Sequence, residues 1–368
     1  MRRCLLIPCL LLASSLVASG SGALETRLDA LMETDMRAGR IPGAAVAILK
    51  NGALLEAKAY GLANLELGVP VSTRSVFELA SLTKPLTAAA ILMLVDEGRV
   101  ALDDHVSTYL DETPEVWRPI TIRQLLCHSG GLAHHFEEQL NGSHLVDYST
   151  ADMLRSARAT PMDSKPGTGW EYSDLGYFLL GVVLEKVTGQ SFEQFMTERV
   201  FEPLGMTSTR IINQAALVPG RVAGYTVVNG ELRNNRRVWQ FELTSHMGVM
   251  SSLDDVIRWE RALARRRVFT EAIVNRMWAP AYVFYEDENT DALLGYGYGW
   301  FVERQGGHSI VHHSGFTGTH YLRDLGTGLT VILLTNRDYP AGTATGVVAR
   351  DIARLVDPSI PDDPMDKD

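Results

Sequence analysis

"ELASLTKPLTAAAILML", residues 78–94, is the stretch on which the reading of this chain turns. Ser81 and Lys84 stand three apart at the head of a long apolar run, and residues at i and i+3 of a helix share a face. The pattern predicts a helix over 84–98, stopped at Gly98. A serine hydroxyl is a weak nucleophile and needs a base beside it. A lysine desolvated at a helix N-terminus, under the positive end of the dipole, can lose enough basicity to serve. The Ser81 amide would lie among the unpaired N–H groups of that terminus, where an oxyanion is stabilised. The same letters also read as a serine cap followed by an exposed lysine. Two facts favour chemistry: no other Ser-x-x-Lys occurs in the chain, and this lysine opens its most apolar helix.

Outward from this stretch, strands cluster at both ends of the chain. "AAVAILKNGALLEAKAYG" (44–61) is a pair of apolar-rich strands around Asn51-Gly52, a strong hairpin signal. "THYLRDLGTGLTVILLTN" (319–336) repeats the pattern, and its second strand is apolar throughout, as a central strand would be. "GYGYGWFVE" (295–303) and "HSIVHHSG" (308–315) supply further short strands. Between the ends the pattern is helical. "TIRQLLCH" (121–128) opens with Thr121 and Gln124 at capping-box spacing. "SDLGYFLLGVVLEKVTG" (173–189) ends at Gly189, and "SFEQFMTERVF" (191–201) and "SSLDDVIRWERALARRR" (251–267) both start at serine caps. "ATGVVARDIARLV" (344–356) reads as a closing amphipathic helix. The expected fold is α/β of the α+β type. Terminal strands would form one antiparallel sheet flanked by helices, from about 27–80 and 290–356. An all-helical lobe would span about 81–289, with a groove between the two. Residues 359–368 read as a frayed acidic tail.

Composition narrows the classes. The chain has 368 residues, 46% hydrophobic and 21% charged, with a net charge of −10. That balance leaves no basic footprint for nucleic acid. Residues 1–23 read as a secretory signal, with Arg2 and Arg3 before an apolar run and small residues up to Ala23. The expected location is the periplasm or the medium, with no membrane span once the signal is removed. Loss of Cys4 and Cys9 with it leaves only Cys127, so neither an internal disulfide nor a thiolate metal site is expected.

Two further stretches carry candidate chemistry. "PGTGWEYSDLGYFLLG" places Tyr172 and Asp174 between a Pro-Gly turn and an apolar helix. A tyrosine near a lysine can relay a proton, although a buried core tyrosine is the plainer reading. "VHHSGFTGTH" (311–320) holds three histidines, and its His313-Ser314-Gly315 repeats the triplet His128-Ser129-Gly130. Strand alternation puts His312 and His313 on opposite faces, so no metal site is expected there. His134, His135 and His144 lack a partner pattern and read as loop residues. The 128 copy reads as the turn that ends a capped helix.

Ser-x-x-Lys, Tyr-x-Asp in place of Tyr-x-Asn about ninety residues on, and His-Ser-Gly near the C-terminus resemble the three motifs of penicillin-recognising serine hydrolases. The chain looks most like the class C β-lactamase-related family: β-lactamases, D-alanyl-D-alanine carboxypeptidases, D-aminopeptidases and serine esterases. The likeness spans about 27–356 and includes "LLCHSGGL", "FEPLGMTST" and "MGVMSSLDDVIRW". It implies that Ser81 is acylated and that Lys84 and Tyr172 relay its proton. It also implies that the amides of Ser81 and Phe316 form an oxyanion hole, and that Asp174, His313, Ser314 and Gly315 bind substrate, with no cofactor. Two letters depart from the β-lactamase pattern. Asp174 stands where an asparagine amide would donate to substrate, and as a carboxylate it favours a charged Lys84. His313 stands where lysine would anchor a substrate carboxylate. Both changes shift the expected substrate from a β-lactam or D-alanyl terminus toward an ester, amide or peptide-like molecule. A non-catalytic binding protein on the same fold is the alternative of another class. The loops 133–150 and 282–300 would shape the groove.

Overall fold

The computed structural model describes residues 14–136, 148–235, 241–287, 289–338 and 345–364. Nine antiparallel strands make the main sheet. In chain order they are β1 (Gly43–Lys50), β2 (Ala53–Asn64), β3 (Val69–Pro70), β9 (Tyr282–Asp287), β10 (Ala292–Tyr296), β11 (Phe301–Gln305), β12 (His308–Gly315), β13 (Thr319–Asp324) and β14 (Leu329–Thr335). Across the sheet they run β3-β2-β1-β14-β13-β12-β11-β10-β9, so the two chain ends meet at the β1–β14 pair. Ala47 sits opposite Ile332 there, and both strands are buried on both faces. This explains their unbroken apolar runs. Asn51 and Gly52 both take positive φ, 51° and 73°, as a two-residue hairpin turn requires.

Helices cover both faces. Helix α1 (Ser14–Gly39) and α10 (Thr345–Arg354) close one side around Leu28, Met32, Val348 and Ile352. The α1 backbone is helical from Ser14 through Ala23, while residues 1–13 of the expected signal lie outside the described residues. Among the described residues no helix is long and apolar enough to cross a membrane. The other face carries the larger core, built around α2 (Thr83–Asp96), α5 (Asp174–Thr188), α8 (Leu253–Arg265) and α9 (Glu271–Trp278). Every residue of α2 from Thr83 to Leu94 is buried, so its apolar run has no polar stripe because no face meets water.

Two expectations need correction. The middle of the chain is not all helical. It carries a three-stranded sheet, with β4 (Val76–Glu78) and β5 (Arg210–Ile211) flanking β8 (Val249–Ser252), and a hairpin of β6 (Tyr225–Val228) and β7 (Glu231–Asn234). Strands this short leave no period in the sequence, and their pairing across some 170 residues is a tertiary event. Nor does the tail fray up to Pro364. Ile360 is 3% exposed, Asp362 pairs with Arg354 at 2.6 Å, and Asp363 lies 3.6 Å from the buried Arg350. Arg350 in turn forks onto Glu303 of β11 with two bonds of 2.8 Å.

Candidate active site

Ser81 lies in a 3-10 turn, Ala80–Leu82, that runs straight into α2. Just before it Ala80 holds a positive φ of 49°, a conformation that strains a residue with a Cβ and is typical of sharply turned functional loops. The tip between β12 and β13 is stitched to this turn. Thr317 donates to the Glu78 carbonyl at 2.7 Å, and Thr319 donates to the Leu79 carbonyl at 2.9 Å. Those bonds hold Gly315 and the Phe316 segment against the residues leading into Ser81. Gly315 is required by contact: a Cβ there would stand 2.2 Å from the Leu79 carbonyl oxygen.

Lys84 is fully buried one turn after Ser81. Its Nζ donates to Asp174 Oδ1 at 2.6 Å, to the His246 carbonyl at 2.9 Å and to Ser81 Oγ at 3.2 Å. Tyr172 packs over it, with Nζ 4.8 Å from the ring centre. Of the two opposing influences the sequence suggested for Lys84, desolvation and the Asp174 carboxylate, the second prevails. Burial does pull the Lys84 ammonium down, but the adjacent Asp174 carboxylate opposes it, and Lys84 is held above its ordinary value. Burial pushes the Asp174 carboxyl up, and the adjacent Lys84 reverses that, so Asp174 stays ionised well below the usual carboxylate range. Tyr172 is raised, chiefly by burial, and is a neutral phenol.

His313 forms the opposite wall. Its Nδ1 faces the Ser314 carbonyl at 2.8 Å and its Nε2 faces the Tyr296 hydroxyl at 3.1 Å. Burial, with Lys84 nearby, lowers it to about 3, so the imidazole is neutral. His312 points to the other face, as alternation required, and meets Glu303 at 2.6 Å. The duplicated triplet is more than a helix stop. His128 has φ of 62°, its Nδ1 accepts from the Ser173 amide at 3.1 Å, and its ring packs at a tilt against Tyr172 with centres 4.4 Å apart. It braces both the Tyr172 ring and the start of α5. Trp170, Tyr296 and Phe301 extend an aromatic wall behind them.

His134 and His135 are not isolated loop residues: their rings stack at 4.0 Å, and His134 lies 3.7 Å from Asp174 Oδ2. Together these three are the one group of donors spaced for a metal among the described residues. Asp174 is already committed to Lys84, which competes with that use. His144 and the rest of 137–147 lie outside the described residues, and 282–300 is mainly the β9–β10 hairpin. Cys127 is buried, as expected of a single apolar-run thiol. The His246 carbonyl was invisible to motif reading because it is a backbone atom. A tight turn presents it, in which Gly248 donates to the Thr244 carbonyl at 2.7 Å.

The sequence pattern of the Beta-lactamase family matches residues 28–354. The chain belongs to that family. A penicillin-binding protein of Bacillus subtilis is 29% identical over 310 residues, 78% of this chain and 67% of that protein. Esterase EstB of Burkholderia gladioli is 35% identical over 205 residues, 50% of this chain and 51% of the esterase. The chain thus spans about half to two thirds of the curated relatives it matches. Among solved structures, an octameric penicillin-binding protein homologue from Pyrococcus abyssi superposes with a TM-score of 0.76 at 25% identity. That match covers 90% of this chain and 77% of the homologue. A D-amino acid amidase from Ochrobactrum anthropi shares the fold, with a TM-score of 0.74 at 22% identity over 90% of this chain and 97% of the amidase.

Proposed function

We propose that this chain is an exported serine hydrolase that cleaves uncharged esters or amides through an acyl-enzyme on Ser81. The observation that carries this reading is the 3.2 Å contact between Ser81 Oγ and the buried Lys84 Nζ. In the reactive form Lys84 is a neutral amine. Its lone pair takes the hydroxyl proton as Oγ bonds to the acyl carbon and the carbonyl electron pair moves onto oxygen. The amides of Ser81 and Phe316 donate to that oxyanion. Collapse breaks the bond to the leaving group, which receives the proton from Lys84 by way of Tyr172. Water then gives its proton to the same pair and attacks the acyl carbon, and the Ser81 oxygen leaves carrying the proton back. Along the groove, Ser314 and Gly315 offer strand backbone to the bound acyl group.

Charge supports the substrate class. The wall that would grip a carboxylate carries a neutral His313, and Asp174 is an anion. Neither His313 nor Asp174 therefore offers a fixed cation to the carboxylate of a β-lactam or D-alanyl terminus, and Lys84 is already paired. The likeness to a penicillin-binding protein keeps β-lactamase or carboxypeptidase activity as the second reading. Export to the periplasm or medium is supported by the paired arginines and apolar run at the N-terminus. The test is hydrolysis of short nitrophenyl esters and nitrocefin by wild type and Ser81→Ala, with intact-mass detection of acyl-Ser81. Ester turnover abolished in Ser81→Ala is expected, and equal rates in the two proteins sink the assignment.

A further inference from the structure

Lys84 has three hydrogen-bonding directions, and two of them are spoken for by groups that can only accept. Asp174 Oδ1 and the His246 carbonyl, at 2.6 and 2.9 Å, must each receive an N–H whatever the charge on the nitrogen. The remaining tetrahedral position is the one toward Ser81 Oγ at 3.2 Å. An ammonium donates a proton there; an amine with its other two positions filled points its lone pair there. The two acceptors therefore aim the base, and the choice between resting and reactive forms is a single proton on that third position.

The surroundings decide how firmly that proton is held. From α5, Asp174 faces Lys84 directly and Tyr177 lies 5.7 Å away by its ring centre. Tyr172 covers it from the turn before α5. His246 precedes β8, His128 follows α3 (Ile122–Leu126), His313 lies on β12, and His134 adjoins Asp174. Burial lowers all four imidazoles, so at neutral pH none adds a charge. Asp174 is left as the single anion against the ammonium among the described groups, in a site shielded from water.

We propose that Asp174 is a positioning residue that both aims Lys84 at Ser81 and keeps it protonated through neutral pH, making this chain a hydrolase of alkaline activity. The proposal rests on the acyl-enzyme reading and adds to it a reason for the carboxylate at position 174. An asparagine there keeps an oxygen to accept from Lys84, and so preserves the aim, but removes the charge that holds the proton. The two effects can be separated.

The experiment is the pH dependence of kcat/KM for a neutral nitrophenyl ester in wild type, Asp174→Asn and Asp174→Ala, with melting temperatures for each. Wild-type activity rises through alkaline pH. In Asp174→Asn that rise moves to lower pH by at least about one unit, whatever the height of its plateau, because removing an adjacent anion lowers the lysine. Asp174→Ala has a lower high-pH rate than Asp174→Asn, since the acceptor that aims Lys84 is gone. A rise left in place in a folded Asp174→Asn overturns the proposal. So does a wild-type rise complete below neutral pH, a result that needs no variant to fold. Loss of all ester turnover in wild type, or its persistence in Ser81→Ala, would instead count against the acyl-enzyme reading itself.

Discussion

Replacing Gly315 with alanine perturbs the site without touching any side chain that does chemistry. The Gly315 φ is not in the left-handed region, so the effect is steric. The new Cβ would lie 2.2 Å from the Leu79 carbonyl oxygen, 2.4 Å from Thr319 Oγ1 and 3.2 Å from Ala80 Cβ. Carbon and oxygen rest about 3.3 Å apart, so the strand end must retreat by about 1 Å. The Leu79 oxygen cannot yield easily, because it sits one residue from the strained Ala80 and accepts from Thr319 at 2.9 Å. Oxyanion donors work at about 2.7–3.1 Å, and removing one costs about 10²–10³ in kcat. A retreat of 1 Å at Phe316 removes most of one donor, so kcat should fall about 10²-fold. KM should rise by less than kcat falls, because the oxyanion forms only in the transition state while the Gly315 backbone also borders the bound acyl group. The overpacked contact should also cost about 1–3 kcal/mol of stability. Steady-state kinetics with a nitrophenyl ester and a thermal melt measure both. Gly169→Ala is the control, since its Cβ would meet nothing closer than 3.9 Å. Wild-type kcat in Gly315→Ala would refute the placement of this hairpin tip against the Ser81 turn.

Two other outcomes follow from burial. His246 and His313 are neutral in the fold, at about 4 and about 3, against an ordinary 6.5. The unfolded chain therefore binds more protons below pH 6.5, and stability falls as pH drops through that window. At about 1.4 kcal/mol per pH unit, His246 alone removes on the order of 3 kcal/mol by pH 4. Melting temperature should decline steadily from pH 6.5 to 4 and decline less in His246→Asn; a flat profile contradicts the assignment. Deleting residues 359–368 exposes the site of Ile360 and takes Asp363 from the buried Arg350. A loss of about 2 kcal/mol in a denaturant melt is expected from the apolar burial, and an unchanged midpoint would show the tail to be idle.

Much of the fold was legible because it is local. Asn51-Gly52 needs positive φ at both positions, Thr121 and Gln124 form the capping box they spell, and Gly189 ends α5 in the left-handed region. Strand alternation correctly separated His312, which meets Glu303, from His313, which meets Tyr296. The small sheet around β8 was not legible, because four buried residues in a row carry no period. Nor was the tail: its acidic letters look solvated until Arg350 and Arg354 are seen beside them.

The sequence by itself determined which residues could react and in what order they occur: one Ser-x-x-Lys, one tyrosine at the head of an apolar helix, one His-Ser-Gly ending a strand. Only the tertiary structure decided the state of those groups. Protonation depends on what stands within a few ångströms through space. The sequence allowed both a depressed Lys84 and one kept charged by Asp174; Asp174, 90 residues from Lys84, and the His246 carbonyl, 162 residues away, close on its Nζ and favour the ammonium. The same closeness moves His134 from a loop into the site and sets His128 beneath Tyr172. Electrostatic energy falls with distance in space and ignores separation along the chain, so no spacing rule could have supplied it.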